Sequence, residues 1–175
     1  MLILLTGGSA CGKSSFAESL CVRFPAPRYY LAAMQPFGPG SAEKIARHRQ
    51  MRAGKGFETI ERYTDYAALR LPQRGTALLE CICNLTANEM FEPEGAGDNM
   101  VEEVQAGVNA LRKRCAHLVI VTNDIFSDGI TYDEITGLYQ ERLGIINQNI
   151  AAEADAVTEV VCGIPLQLKR KGNSL

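Results

Sequence analysis

The residues of this chain whose types and spacing could do chemistry begin at position 7. Gly7-Gly8-Ser9-Ala10-Cys11-Gly12-Lys13-Ser14 satisfies G-x-x-x-x-G-K-[ST] at every position, directly after the apolar run Leu2-Ile3-Leu4-Leu5. Glycines at 7, 8 and 12 let the backbone curl so that successive N–H groups face phosphate oxygens. Lys13 adds a point charge for the β and γ phosphates, and Ser14 is placed to coordinate Mg²⁺. The following residues repeat with a helical period (Phe16, Ala17, Leu20, Cys21, Phe24), so a helix N-terminus contributes its dipole to the same anion. Positions 7 to 15, Ser15 included, are therefore the expected nucleotide-binding loop. A glycine-rich turn that matches by chance is the alternative, and the strand before and helix after argue against it.

A second candidate group is His48, set among Lys44, Arg47, Arg49, Arg52 and Lys55 with no acid between them. Two readings stand. Charge runs are commonly solvated faces, and the histidine is then incidental. Alternatively the helix is an anion site in which Arg47 and Arg52 hold polyphosphate, while neighbouring cations disfavour imidazolium and keep His48 neutral and nucleophilic. Glu80 is the third candidate, an acid at the carboxyl end of the apolar run Thr76-Ala77-Leu78-Leu79, where P-loop folds place a carboxylate near metal or nucleotide. Its competing role is to cap a helix over about 85–91.

The elements that position these groups follow from periodicity. Strands are expected over residues 2–5, 28–33, 57–61, 76–81, 116–122 and 157–162. Helices are expected from 13 to about 24, from an N-cap at Ser41 to about 53, around 64–70, about 85–91, 100–114, and from Asp133 to about 154. Gly163-Ile164-Pro165 should turn the chain into an edge strand over 166–169, followed by a frayed tail over 170–175. The order strand, helix, strand predicts a mostly parallel α/β sheet with ligands at its carboxyl edge. The loop over 34–40 leaves a strand at that edge and is a candidate substrate loop. Gly144, inside the last helix, predicts close packing or an approaching ligand. His117 lies at the opposite edge and reads as a surface residue.

Composition narrows the classes. A chain of 175 residues buries about 70% of its unfolded surface as one domain, here 1–169. Net charge −2 and a pI near 5.7 argue against nucleic acid as a partner. The six cysteines lie mostly in apolar runs with no signal peptide, which reads as reduced thiols in a cytoplasmic protein. Cys81-Ile82-Cys83 lacks the further ligands a zinc site needs, and no run is long enough for a membrane span.

Taken together, Thr6-Gly7-Gly8, Lys44-Ile45-Ala46-Arg47-His48, Phe57-Glu58-Thr59-Ile60-Glu61, Leu78-Leu79-Glu80-Cys81, Val121-Thr122-Asn123 and Ala154-Asp155 resemble the bifunctional adenosylcobinamide kinase/adenosylcobinamide-phosphate guanylyltransferase family. The pattern Tyr139-x-Glu141-x-x-Gly144-x-x-Asn147-Gln148 is its most specific part. The resemblance implies a RecA-like P-loop three-layer sandwich, mostly parallel with an antiparallel C-terminal edge hairpin, and a homo-oligomer, often a trimer. It implies two reactions with Mg²⁺ and GTP or ATP: phosphorylation of the corrinoid's aminopropanol hydroxyl, then transfer of GMP from GTP to that phosphate through a guanylylated histidine. His48 aligns with that histidine, and Glu80 with an acid near the nucleotide. The chain departs from the family at Ala10-Cys11, where Arg-Ser is usual, at Gly38-Pro39-Gly40, at Phe57 and at Asn123-Asp124-Ile125-Phe126. Two other readings remain: a P-loop kinase of another small molecule without guanylylation, and a non-catalytic nucleotide-binding protein.

Overall fold

The computed structural model describes residues 1–37, 40–126 and 129–172. Their backbone forms β1 (Leu2–Thr6), α1 (Lys13–Val22), β2 (Arg28–Ala32), α2 (Ser41–Arg52), β3 (Phe57–Glu61), β4 (Thr76–Glu80), α3 (Ile82–Phe91), α4 (Met100–Arg114), β5 (His117–Val121), α5 (Glu134–Glu153), β6 (Ala156–Val161) and β7 (Ile164–Arg170). The strands make one seven-stranded sheet in the order β3-β2-β4-β5-β1-β6-β7. All neighbours pair in parallel except β6 and β7, which form an antiparallel hairpin at the edge.

The central strands are apolar on both faces because helices cover both. Every residue of β4 is buried, as are four of the five in β1 and in β5. Helix α1 packs on β4, β5 and β1, while α3, α4 and α5 pack on one another and on β5 and β1. Of the stripe Val101, Val104, Val108 and Leu111 that periodicity predicts on α4, the last three are buried and Val101 is half-buried. Register aligns the carboxyl ends: Glu61 pairs with Ala32, Ala32 with Glu80 and Glu80 with Val121. This row is the floor on which a ligand at the strand ends would sit.

Four local expectations are corrected. Residues 64–70 form turns rather than a helix. The side chain of Arg62 takes the carbonyls of Thr64 and Asp65, Glu89 takes the Asp65 N–H, and Asp65 itself has φ +51°, so backbone groups that a helix would use are already committed. Helix α2 is capped by Gly40 in a left-handed conformation, not by Ser41. The hairpin turns at Cys162-Gly163, with φ +51° and +81°, and Pro165 lies inside β7, where an edge strand tolerates a residue without an N–H. His117 is half-buried and stacks on Phe24 at 4.1 Å between ring centroids.

The helix glycine that packing requires is also not the one the sequence singled out. A Cβ on Gly144 would meet only the Phe126 ring, at an ordinary 3.9 Å, whereas one on Gly107 of α4 would strike the Cβ of Tyr66 at 2.8 Å. Tyr66 is itself buried, with its hydroxyl donating to the Arg62 carbonyl at 2.7 Å. Alanine in an open helix interior would stabilise by about 1 kcal/mol. At Gly107 the sign reverses: Gly107→Ala should destabilise by about 1–3 kcal/mol through overpacking. Thermal melting of this variant should show a midpoint several degrees below wild type, while Gly144→Ala should not melt lower.

Candidate functional site

The phosphate loop owes its shape to close backbone approaches. Gly7 has φ +144°, and a Cβ there would lie 2.4 Å from the Val160 carbonyl oxygen. Gly12, at φ +97°, would bring a Cβ to 3.4 Å from the Cα of Gly163. The hairpin turn in fact buttresses the loop, because Gly163 N–H donates to the Cys11 carbonyl at 2.8 Å. On the other side Asp124 N–H donates to the Gly7 carbonyl at 2.9 Å. Neighbours on two sides thus fix the loop before any ligand arrives. Lys13 is buried at the first turn of α1 and folds back, donating from Nζ to the Gly8 carbonyl at 2.6 Å.

A cavity of about 610 Å³ opens from this loop along the carboxyl edge. Its walls carry Ser9, Ala10, Cys11, Gly12, Lys13, Ser14 and Ser15 from the loop, Arg47, His48 and Arg52 from α2, and Glu80 from β4. Every expected site residue except Gly7 and Gly8 therefore lines one space. Of those two, buried Gly7 shapes the loop, and exposed Gly8 offers its carbonyl to Lys13.

Glu80 sits at the meeting point. The Ser14 hydroxyl donates to its Oε1 in a short hydrogen bond, and His48 Nδ1 lies 3.7 Å from the same oxygen. The side chain is nearly buried and its Oε2 has no partner among the described residues. The helix-capping alternative fails, since α3 begins at Ile82 with Cys81 as a cap that makes no side-chain bond. A serine hydroxyl and a carboxylate give an all-oxygen donor set, which fits a hard cation such as Mg²⁺.

The sequence did not pick out Tyr30, which completes this cluster. Its hydroxyl is 3.5 Å from His48 Nδ1, and the Arg52 guanidinium lies 3.4 Å above its ring centroid. Burial first, then the Glu80 charge, push the phenol well above its usual range, so it stays protonated throughout neutral pH. Tyr29 and Tyr30 alternate across the sheet: the Tyr29 hydroxyl accepts the Gln73 N–H behind it, while Tyr30 faces the cavity. Periodicity predicts that alternation but not which tyrosine faces the ligand side. Arg49 and Glu61 form an exposed ion pair at 2.9 Å on the rim, again without a signal in the sequence beyond the charge run.

Arg52 deserves the place given to it by its charge. It is buried, yet its Nη1 has no hydrogen-bond partner among the described residues. A buried cation without an acceptor is costly, and an anion in the cavity would satisfy it. Arg47 is exposed at the cavity wall.

Cys81 lines the cavity, and buried Cys83 lies behind it, where its Sγ accepts the Asn123 N–H at 3.2 Å. The neighbouring Cys81 thiol is the main cause lowering the Cys83 thiol below its usual range, assisted by Asn123, Thr122 and the charge of Lys13 against the opposing effect of burial. The same pairing, with burial, raises Cys81.

The fold and this site define a P-loop nucleotide-binding protein of the RecA-like kind. The fold resembles the flagellar accessory protein FlaH from Methanocaldococcus jannaschii (TM-score 0.50, 13% identity, covering 97% of this chain and 78% of that one) and the ATPase domain of G40P (TM-score 0.50, 9% identity, 90% and 68%). More particularly, residues 3–168 match the model of the cobinamide kinase / cobinamide phosphate guanyltransferase family, CobU, and the chain belongs to that family. It is 30% identical to the bifunctional adenosylcobalamin biosynthesis protein CobU of Escherichia coli K12, over 97% of this chain and all of that one. It is 28% identical to the corresponding protein CobP of Pseudomonas aeruginosa, over 95% and 96%. No helix among the described residues is long and apolar enough to cross a membrane.

Because Cys83 is lowered, a spectrophotometric pH titration of thiolate absorbance should show one cysteine ionising below the usual thiol range. That transition should be missing from Cys83→Ser, while Cys21 and Cys115, raised by burial, should titrate only in alkali.

Proposed function

We propose that this chain carries out both reactions of its family in the one cavity: it phosphorylates the aminopropanol hydroxyl of adenosylcobinamide, and it transfers GMP from GTP to the product through His48. The observation that carries the reading is the convergence on Glu80, whose Oε1 meets both the Ser14 hydroxyl and the approach of His48 Nδ1. The phosphate loop and the nucleophile thus share one carboxylate.

In the kinase reaction the loop N–H groups and Lys13 hold the triphosphate, with Lys13 exchanging the Gly8 carbonyl for phosphate oxygens. Ser14 and Glu80 would hold Mg²⁺, which when bound neutralises phosphate charge. Catalysis is then mainly positioning plus charge stabilisation of the transferring group. In guanylylation His48 attacks the α-phosphorus of GTP and pyrophosphate leaves. Arg52, buried and short of an acceptor, and Arg47 on the wall stabilise the charge that develops. Ala10-Cys11 supply no cation to the loop, so these α2 arginines carry more of that role. The two reactions attack different phosphorus atoms, which requires two nucleotide poses within the cavity.

The reading includes Mg²⁺ with GTP or ATP, a corrinoid acceptor, the cytoplasm as compartment, and a homo-oligomer, a trimer by family resemblance. Six free cysteines are consistent with a reducing compartment, and Ile164, Leu166 and Leu168 stand exposed on the edge strand β7, where a second copy could cover them.

Incubation with GTP and Mg²⁺ followed by intact-mass measurement should reveal a GMP adduct on wild type and none on His48→Ala. An adduct that persists in the variant would refute the nucleophile assignment. In a coupled assay Lys13→Ala should lower phosphorylation of adenosylcobinamide about a hundredfold or more. Turnover of simple alcohols with no turnover of the corrinoid would instead favour a kinase of another small molecule.

A further inference from the structure

Two cysteines that the proposed chemistry does not use stand where the hairpin turn supports the phosphate loop. Cys11 is half-exposed on the cavity wall and Cys162 is exposed in the turn, whereas the other four cysteines are buried. Gly163, the residue after Cys162, donates its N–H to the Cys11 carbonyl at 2.8 Å, and its Cα lies 3.4 Å from where a Cβ on Gly12 would sit. Cys11 and Cys162 are therefore backbone neighbours across one hydrogen bond, although far apart in sequence. For a near-linear bond, peptide dimensions put their Cα atoms about 6 Å apart or less, inside the span of roughly 4.4–6.8 Å that a disulfide bridges. Cys162 also holds φ +51°, a conformation that two-residue hairpin turns ordinarily fill with asparagine, aspartate or glycine, so the turn itself does not call for a cysteine.

We propose that Cys11 and Cys162 form a dithiol modification site, which a low-molecular-weight disulfide closes into a covalent latch between the phosphate loop and the C-terminal hairpin. The inference stands on the turn and the loop alone and does not depend on which reactions the cavity carries out. The Cα separation asks for rotation of the two side chains rather than movement of the chain. Cys11 Sγ, which receives a long contact from Lys13 Nζ at 3.7 Å, leaves that contact when the bond closes. The latch joins the two ends of the chain, and so constrains the unfolded state through a very long loop.

Closure takes two exchanges. The thiolate of Cys162, the more exposed of the pair, attacks one sulfur of the reagent RSSR; a Cys162–S–S–R bond forms, and RS⁻ leaves with the electron pair of the broken S–S bond. The thiolate of Cys11 then attacks the Cys162 sulfur and expels the second RS⁻. Each protein thiol has given up its proton, the pair has been oxidised by two electrons, and the reagent has been reduced to two molecules of RSH. Excess thiol reverses both steps, the behaviour of a transient disulfide in a reducing compartment.

The test is to treat the full chain, at high dilution, with oxidised glutathione, block the remaining thiols by alkylation, and measure intact mass and non-reduced peptide maps. Wild type should lose two hydrogens, retain no glutathione, and yield the Cys11 and Cys162 peptides linked to each other. Its melting midpoint should rise by several degrees on closure, and dithiothreitol should return both mass and midpoint to those of the reduced protein. Cys11→Ser should stop at the first exchange and keep one glutathione on Cys162, and Cys162→Ser should form no internal bond. Each variant replaces a sulfur by an oxygen at a position that is not buried, and melting of the reduced variants checks that they fold as wild type does. Glutathione that stays on Cys162 of wild type without closure, copies of the chain linked through Cys162, or an internal bond between any other pair of cysteines would overturn the proposal.

Discussion

A buried carboxylate must find donors, and Glu80 is the group on which the rest of the site depends. It ends a strand that is covered on both faces, so water cannot solvate it freely. Its neighbours come from separate parts of the chain: Ser14 from the phosphate loop and His48 from α2, the latter also approached by Tyr30 of the neighbouring strand. Parallel register supplies the geometry, since β2, β4 and β5 end level with one another. The same requirement that satisfies Glu80 brings the phosphate-loop Ser14 and the candidate nucleophile His48 to one cavity.

Helix α2 is attached differently from the other helices. It has little apolar surface to bury, and polar contacts tie it and the loop after it to the sheet and to α1. Arg52 lies on Tyr30, Arg49 pairs with Glu61, and Lys55 pairs with Glu18 at 2.6 Å. Glu18 is fully buried, so its pairing with Lys55 matters more than the exposed Arg49 pair: removing one partner of a buried pair strands a charge, whereas an exposed pair contributes at most about 1 kcal/mol. A helix held by charges would suit a polyanionic ligand, which would supply the acceptor that Nη1 of buried Arg52 lacks among the described residues.

The phosphate loop shows how a motif and its surroundings divide the work. Gly7 is needed because the Val160 carbonyl approaches it, and Gly12 because its backbone holds φ +97°. The C-terminal hairpin is thus more than an edge to the sheet. Its turn hydrogen-bonds the loop at Cys11, which places the two most divergent loop positions, Ala10 and Cys11, against a rigid neighbour. Ala10 itself holds φ +58°, a conformation that the surrounding contacts must maintain.

The sequence by itself determined the parallel sheet, the phosphate loop and the candidacy of His48 and Glu80, because local patterns of apolar residues, glycines and charges encode them. It also yielded the family through motifs spread along the chain. It did not determine the turn over residues 64–70, where Arg62 and Glu89 divert backbone groups from a helix, nor that Gly107 rather than Gly144 is required by packing. Only the tertiary structure decided that Tyr30 and not Tyr29 faces the cavity, that Arg52 is buried without an acceptor while Arg47 is exposed, and that His48 turns Nδ1 toward Glu80. The physical reason is that these facts are set by contacts between residues far apart in sequence, and periodicity within a segment carries no information about which distant partner will meet it.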